Sequence, residues 1–544
     1  MPVLTHIDVT GIQAFVFLSN RLRDAVAGSV LVEKATDTGV DGILNTIANR
    51  FGGNVIMAAG GNALTRFDDM SSARSFTAAY SRTILECAPG LEVAICHHEY
   101  LRGELAKAIR VIRRDMVEAK FNRESSTPVI GLSVVAQCAE TRLPAADVLQ
   151  GPGGEPPVPV SAAIAARRRQ APQPAAAICA FREGKGPTVD LCYPMDIDNL
   201  GRTRADTSLL GVVHIDGNKM GSRMAEWTEK QIEAGASDEE VQLRYGEISR
   251  AIDDLAKQTL QSICEHILTA IRWQSASSQE PDSGSSQVAG NGSYVLYSET
   301  LGKGFPLRQA NGRATNAVYL PIRPIIVGGD DITFVCDGRI ALDLAEVALR
   351  HFMRTAIHGI GRVTASAGIA MGKSHTPFAR LYEVSEALCQ SAKQHLHKNH
   401  LDDSCMDWHI GLSGITDAEA LRKRTYTSPD GKYRLTCRPY PLGDGPDAPE
   451  TWTWLNRTIL GSRNAGGLFG SVWQRHRNKI SSLRDALVNG PASVERTVES
   501  WNILSDTLSL PGGPALSRRG YVEDRTPFLD AIELLDIHYP LGKE

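Results

Sequence analysis

The ten cysteines stand singly from Cys87 to Cys437, and none forms a CxxC pair. That scatter excludes a zinc ribbon and a disulfide framework, so no zinc is expected, and it fits a reducing cytosol. No run of 18 apolar residues occurs, so no membrane span is expected. The opening MPVLTHIDVTGIQ has no basic segment followed by an apolar one, which excludes a signal peptide and places the expected protein in the cytoplasm. Excess basic charge is missing too: the formal net charge is −4. A general nucleic-acid coater is thereby excluded, although a local basic groove is not.

What is present is an ordinary globular balance, 42% hydrophobic and 22% charged, over 544 residues. Such a length exceeds one hydrophobic core and predicts about three or four domains. Residues 1–150 alternate short apolar runs with helical patterns. HIDVTGIQAFVFLSN opens, RLRDAVAGSVLVEKATDTGVDGILNTIANRF reads as helix, and NVIMAAGGNALTRF reads as two strands around Gly60-Gly61-Asn62. The helix SSARSFTAAYSRTILECA and the strand LEVAICHHEY complete the unit. Strand–helix–strand–strand–helix–strand is the split βαβ order of ferredoxin-like domains. His97-His98 fall at the end of that last strand and read as strand residues.

Residues 151–205 read as a Pro/Ala-rich linker and a small intervening segment. GPGGEPPVPVSAAIAARRRQAPQPAAA, over 151–177, predicts a linker or mobile loop, and Arg167 to Arg169 a solvated charge cluster rather than a phosphate contact. The split pattern returns over 206–415, with SLLGVVHIDGNKMG, the amphipathic YGEISRAIDDLAKQTLQSICEHILTAIRW and the hairpin PIRPIIVGGDDITFVCD. A polar Gly/Ser-rich stretch near 274–300 predicts a disordered insertion. Residues 416–544 predict a mainly helical C-terminal domain with one short β-like piece, KYRLTCRPYPL. The expected fold class is α+β: two ferredoxin-like units, a linker and a helical C-terminal domain.

Chemistry concentrates in IIVGGDDITFV. Gly328 and Gly329 permit a tight hairpin turn and keep side chains away from an approaching ligand. Asp330 and Asp331 follow at once, a pairing of charges that is costly without a cation to neutralise it. An exposed hairpin with turn-favouring aspartates is the plainer alternative. Asp216 ends the apolar strand GVVHID, with Gly217 and Gly221 leaving room nearby. In the split fold, the first strand lies beside the central hairpin, so Asp216 is expected to face Asp330 and Asp331. Three converging carboxylates suit hard cations, Mg²⁺ most simply, and two such ions are suited to nucleotidyl transfer. Asp196 and Asp198, in PMDIDNLGR, offer a competing strand end. Asp216 is preferred for its longer apolar run and the long helix after it.

These motifs resemble the large palm-domain subunit of type III CRISPR effector complexes, the family that makes cyclic oligoadenylates. The resemblance covers roughly residues 1–415. HIDVTGIQAFVFLSNRLRDAVAGS and AAGGNALTRF are similar to the first palm and its carboxylate-free glycine hairpin. HIDGNKMG, VGGDDITFV, TASAGIAM and EALCQSAKQ are similar to the second palm's metal strand, GGDD hairpin, following strand and lysine-bearing helix.

The resemblance implies Asp216, Asp330 and Asp331 as ligands of two Mg²⁺ or Mn²⁺ ions, with the Gly217 carbonyl assisting. It implies Gly328-Gly329 against the nucleotide, Lys393 on triphosphate oxygens, Ser366 in a base pocket and Ser29 facing nucleotides from the first palm. ATP is the implied substrate, and guide and target RNA with small helical subunits are the implied partners. Departures also stand out. The chain begins at the first palm, so a short form lacking the HD nuclease domain is expected. Asn218 stands where many relatives have a second aspartate. A stand-alone diguanylate-cyclase-like synthetase is the competing enzyme, although Ile332 follows the carboxylates where that family has Phe. A catalytically idle RNA-binding scaffold is the competing non-enzyme.

Overall fold

The computed structural model of the chain describes residues 1–39, 42–123, 134–150, 156–170, 177–200, 209–275, 292–310, 316–411, 422–423, 425–501, 508–514 and 516–542. Its architecture is α+β, with two ferredoxin-like palm domains and a mainly helical C-terminal region.

In the first palm the Val3–Thr10 strand is flanked by Asn62–Phe67 and Glu92–Glu99, both antiparallel, and Asn54–Ala59 pairs outside Asn62–Phe67. The period of two decides its burial: Val3, Ile7 and Val9 enter one core and Leu4 the other. Gly60 and Gly61, with φ of +57° and +82°, make the turn between the hairpin strands. The long helical stretch expected over residues 21–51 is two helices, Leu22–Thr36 and Ile43–Arg50.

The second palm repeats the order. Leu209–Gly217 lies between Asp331–Asp337 and Ala365–Lys373, and Ile322–Gly328 closes the hairpin. Cys405–Ile410 adds a parallel fifth strand and Tyr440–Pro441 a sixth. The Asp238–Ala270 helix has 33 residues and starts at Ser237, whose side chain accepts the Glu240 N–H. At 1.5 Å per residue it runs about 50 Å, and it packs on the Asn54–Ala59 strand of the first palm. It thereby ties the two palms together.

Two expectations need correction. The 151–177 segment is structured where described: Val158–Val160 pairs with Asp147–Leu149, and Ala162–Gln170 is a helix on Leu22–Thr36. Alanine and arginine are strong helix formers, and the Ala/Ile face of AAIAARRRQ is buried. Two of its three arginines, Arg167 and Arg168, are not solvated, whereas Arg169 is exposed. Arg167 is fully buried, donates to the Phe15 carbonyl and stacks 4.4 Å over the Phe15 ring. Arg168 pairs with Asp24 and Glu140, and Arg169 with Asp147. The stretch near 274–300 is also structured at both of its ends. Ile271–Ser275, Gly292–Ser298 and Lys303–Pro306 form a sheet, because the YVL core of the middle strand is buried. Residues 276–291, the centre of that expectation, lie outside the described residues.

The C-terminal region is continuous with the second palm. Trp408 of the fifth strand stacks on Tyr440 and meets Trp452 edge-on. Arg438, fully buried, pairs with Asp530 at 2.8 Å and Glu533 at 3.0 Å. Removing one partner of such a buried pair would strand the other charge. No helix among the described residues is long and apolar enough to cross a membrane.

Candidate active site

The antiparallel register sets Asp331 directly opposite Asp216 on one side, and Ser366 opposite it on the other. The Gly217 N–H donates to the Asp330 carbonyl at 3.1 Å. A side-chain carbon at Gly217 would fall 2.8 Å from the Asp330 carboxylate, so glycine is what lets Asp330 reach this strand end. The fold thus brings Asp216, Asp330 and Asp331 to one strand end. Asp196 and Asp198 lie elsewhere, in a short 3-10 turn that Asp196 caps.

Lys393, on the Phe378–Lys398 helix, donates to Asp216 Oδ2 at 2.5 Å and to the Gly217 carbonyl at 3.1 Å. Its ammonium occupies the edge of the cluster where a cation is needed. Asp330 remains under-neutralised: burial first, then the Asp216 charge, raise its pKa to about 7 despite Lys393. His214 stands behind Asp331, with Nδ1 at 3.3 Å from Asp331 Oδ1 and 3.0 Å from Thr333 Oγ1. Burial works to lower the His214 pKa, but Asp331, Asp216 and Glu386 outweigh it and hold it above the ordinary value.

Hard oxygen donors gathered at one strand end fit a divalent cation. Among the described residues, however, no group of three or more His, Cys, Asp or Glu side chains is already assembled as a metal cage. The cluster is a donor set with Lys393 drawn onto it.

The turn falls one residue later than expected: Gly328 is the last strand residue, paired with Asp331, and Gly329-Asp330 make the turn, with Gly329, at φ +63°, against Gly60 of the first palm. The two glycine hairpins thus meet tip to tip, with a cavity on either side. One, of about 390 Å³, brings Asp330 and Gly329 together with His6, Asp8, Arg113 and Lys120. The other, of about 360 Å³, joins Asp331 and Gly328 to Ser29, Asp253, Lys257 and Arg323. Ser29 thus shares a cavity with the hairpin residues Gly328 and Asp331. Ser366, implied for a base pocket, lines neither cavity: it is fully buried and donates to Asn218 Oδ1 at 2.9 Å. Asn218 in turn donates to Thr364, so both are satisfied within the sheet. His97 is a strand residue bonded to Thr5 and Thr77.

Two features escaped the sequence reading. Asp253, from the Asp238–Ala270 helix, accepts the Gly329 N–H at 3.2 Å and pairs with Lys257 at 2.7 Å. Nothing local marks it among the acids of that helix. The second feature is a repeat. His6-Ile7-Asp8 in the first palm matches His214-Ile215-Asp216 in the second. Asp8 lies opposite Asn62, two residues after Gly60, as Asp216 lies opposite Asp331, two residues after Gly329. Lys120, on the helix after the fourth strand, is ion-paired with Asp8 as Lys393 is with Asp216. Gly61 and Asn62 replace the hairpin carboxylates. The shared tripeptide was the available signal.

Residues 209–402 match the family model for Cas10/Cmr2, second palm domain. No curated protein matches the chain. Among solved structures, the chain is similar to a chain of the Csm1–Csm4 cassette in complex with cA4, at 16% identity and a TM-score of 0.53, covering 99% of this chain and 70% of that one. The cassette with cA3 gives 16% identity and a TM-score of 0.51, covering 100% of this chain and 70% of that one. The cassette with one ATP gives 15% identity and 0.51, with the same coverage of 100% and 70%. At such identity the likeness carries the fold alone.

Proposed function

From a chain that carries a Cas10/Cmr2 second palm domain over residues 209–402, we propose a nucleotidyltransferase that condenses ATP into cyclic oligoadenylates within a type III CRISPR effector. The observation that carries this reading is the register of Asp216 against Asp331, with Asp330 folded over Gly217 and Lys393 on Asp216. The ligands printed for the similar cassettes, cA4, cA3 and ATP, support the choice of adenine nucleotides.

Asp216, Asp330 and Asp331 would hold Mg²⁺ or Mn²⁺, which supply charge neutralisation at the triphosphate and acidify the attacking hydroxyl. His214 fixes the Asp331 carboxylate. Lys393 is a point charge that turns from Asp216 to triphosphate oxygens when nucleotide enters. Gly328 and Gly329 keep the hairpin tip free of side chains against the nucleotide. The first palm holds the second nucleotide beside Asp330, with Lys120 and Arg113 on its phosphates and Ser29 across the tip.

In each step a ribose hydroxyl oxygen of one nucleotide forms a bond to the α-phosphorus of the other. The α–β phosphoanhydride breaks, pyrophosphate leaves, and the hydroxyl proton passes to solvent. The last step joins the ends into a ring. Holding both nucleotides across one hairpin contact supplies the proximity such a displacement needs. Guide and target RNA with small helical subunits are the proposed activating partners. The test is incubation with each nucleoside triphosphate and Mg²⁺ or Mn²⁺, alone and with guide complex plus target RNA, with products identified by mass spectrometry. Cyclic adenylates formed in the RNA-activated arm support the reading, and no nucleotide product in either arm removes it.

A further inference from the structure

Behind the second palm, away from the hairpin, lies a cavity of about 610 Å³. Its walls come from the far end of the Asp238–Ala270 helix, the Ala341–Arg354 helix and the Leu455–Leu460 turn, and its volume falls within the range of small-ligand sites. Three carboxylates line it, and two are already spent. Asp343 is bonded to His266 Nε2 at 2.7 Å. Glu346 accepts Arg350 at 2.8 Å, Trp452 at 2.5 Å and Asn456 at 3.3 Å. Glu265, bonded by Gln261, stays exposed at the rim.

Against it stand Arg354 and Arg457, both exposed, and neither makes a hydrogen bond or ion pair among the described residues. The local balance is two unspent guanidiniums to one carboxylate. Ser262 and Ser462 add hydroxyls, and among the described residues no Phe, Tyr or Trp ring lines the space. A ligand here is therefore read by an anionic group, not by stacking of a base. Guanidinium forks match the oxygens of a phosphate.

We propose that this cavity binds a phosphate-bearing ligand, with Arg354 and Arg457 as its phosphate contacts. The proposal stands apart from the palm chemistry. Its interest for that chemistry is mechanical: the helix that forms one wall also carries Asp253, which holds Gly329, about 20 Å away along the same rod.

The experiment is titration calorimetry on the full chain in chelator, with inorganic tripolyphosphate as first probe. The other probes are a 5′-phosphorylated RNA oligomer and the same oligomer without the phosphate. Wild type should bind tripolyphosphate, and Arg354→Glu/Arg457→Glu should bind it at least about tenfold more weakly. Arg354→Gln/Arg457→Gln provides a milder second variant, with circular dichroism to check the fold. Arginine-dependent binding of tripolyphosphate assigns free phosphate groups as ligand, and binding only of the phosphorylated oligomer assigns a nucleic-acid end. Binding unchanged in both arginine variants, or no binding of any probe by wild type, overturns the proposal.

Discussion

Gly329 of the second palm and Gly60 of the first are in contact: a side-chain carbon added at Gly329 would lie 3.3 Å from the Gly60 Cα. Every group proposed to act on nucleotide sits within the two cavities that this contact divides, or on the strand and helix behind them. Gly329 also has φ +63°, a conformation that costs a residue with a side chain about 1–2 kcal/mol. Gly329→Val should therefore force the hairpin tips apart. The expected result is near-complete loss of nucleotide product with a modest fall in melting temperature. Retained synthesis would show that the tips need not touch.

Lys393 should act on binding. A hydrogen bond to a charged group contributes about 1.5–3 kcal/mol, which corresponds to about a tenfold to hundredfold change. Lys393→Ala should raise the KM for ATP by that factor, measured by initial rates. Lys120→Ala, the matching change in the first palm, should raise it as well. An unchanged KM in both would remove these lysines from the phosphates.

Asp253 should act on geometry. Asp253→Ala leaves the Gly329 N–H without its 3.2 Å acceptor, so kcat should fall with little change in KM. Asp253→Asn keeps an oxygen acceptor and should restore most of the rate. Equal loss in both variants would mean that the charge, shared with Lys257, matters more than the bond.

Acid should weaken the fold through two buried histidines of the C-terminal half. Burial lowers the His538 pKa to about 3, and burial with the Arg438 and Arg422 charges lowers that of His409 to about 4. Both folded values lie below the unfolded one of about 6.5. Between those limits the unfolded chain binds more protons, so stability is complete above about pH 6.5 and is lost as pH falls. The melting temperature should drop from pH 7.5 to pH 5. His538→Gln should make that drop smaller, and an unchanged drop would put the acid sensitivity elsewhere.

The GGDD strand pair was legible because its chemistry is local: an apolar strand, two glycines and two acids are adjacent in sequence. Asp216 was legible because strand order follows from the split βαβ pattern, which dictates which strand lies beside the hairpin. Asp253 and Lys120 were not, since they act across 76 and 112 positions and look like ordinary helix charges. The linker was misjudged for a related reason. Composition records that AAIAARRRQ is small and basic, but not that Phe15 and Asp24 wait to receive Arg167 and Arg168. Ser366 shows the converse: its position was anticipated, but its hydroxyl is spent on Asn218 inside the sheet.

The most direct measurement is the amount of cyclic adenylate made by the RNA-activated complex containing Asp330→Ala/Asp331→Ala, compared with wild type. Removing adjacent carboxylates relieves their mutual repulsion, and Asp330 carries a pKa raised by that crowding and by burial. The double variant should therefore keep its circular dichroism spectrum and melt no lower than wild type. The account predicts a stably folded variant whose product falls below detection. Product formed at the wild-type rate by that folded variant would contradict it and place the chemistry outside the Asp216–Asp331 cluster.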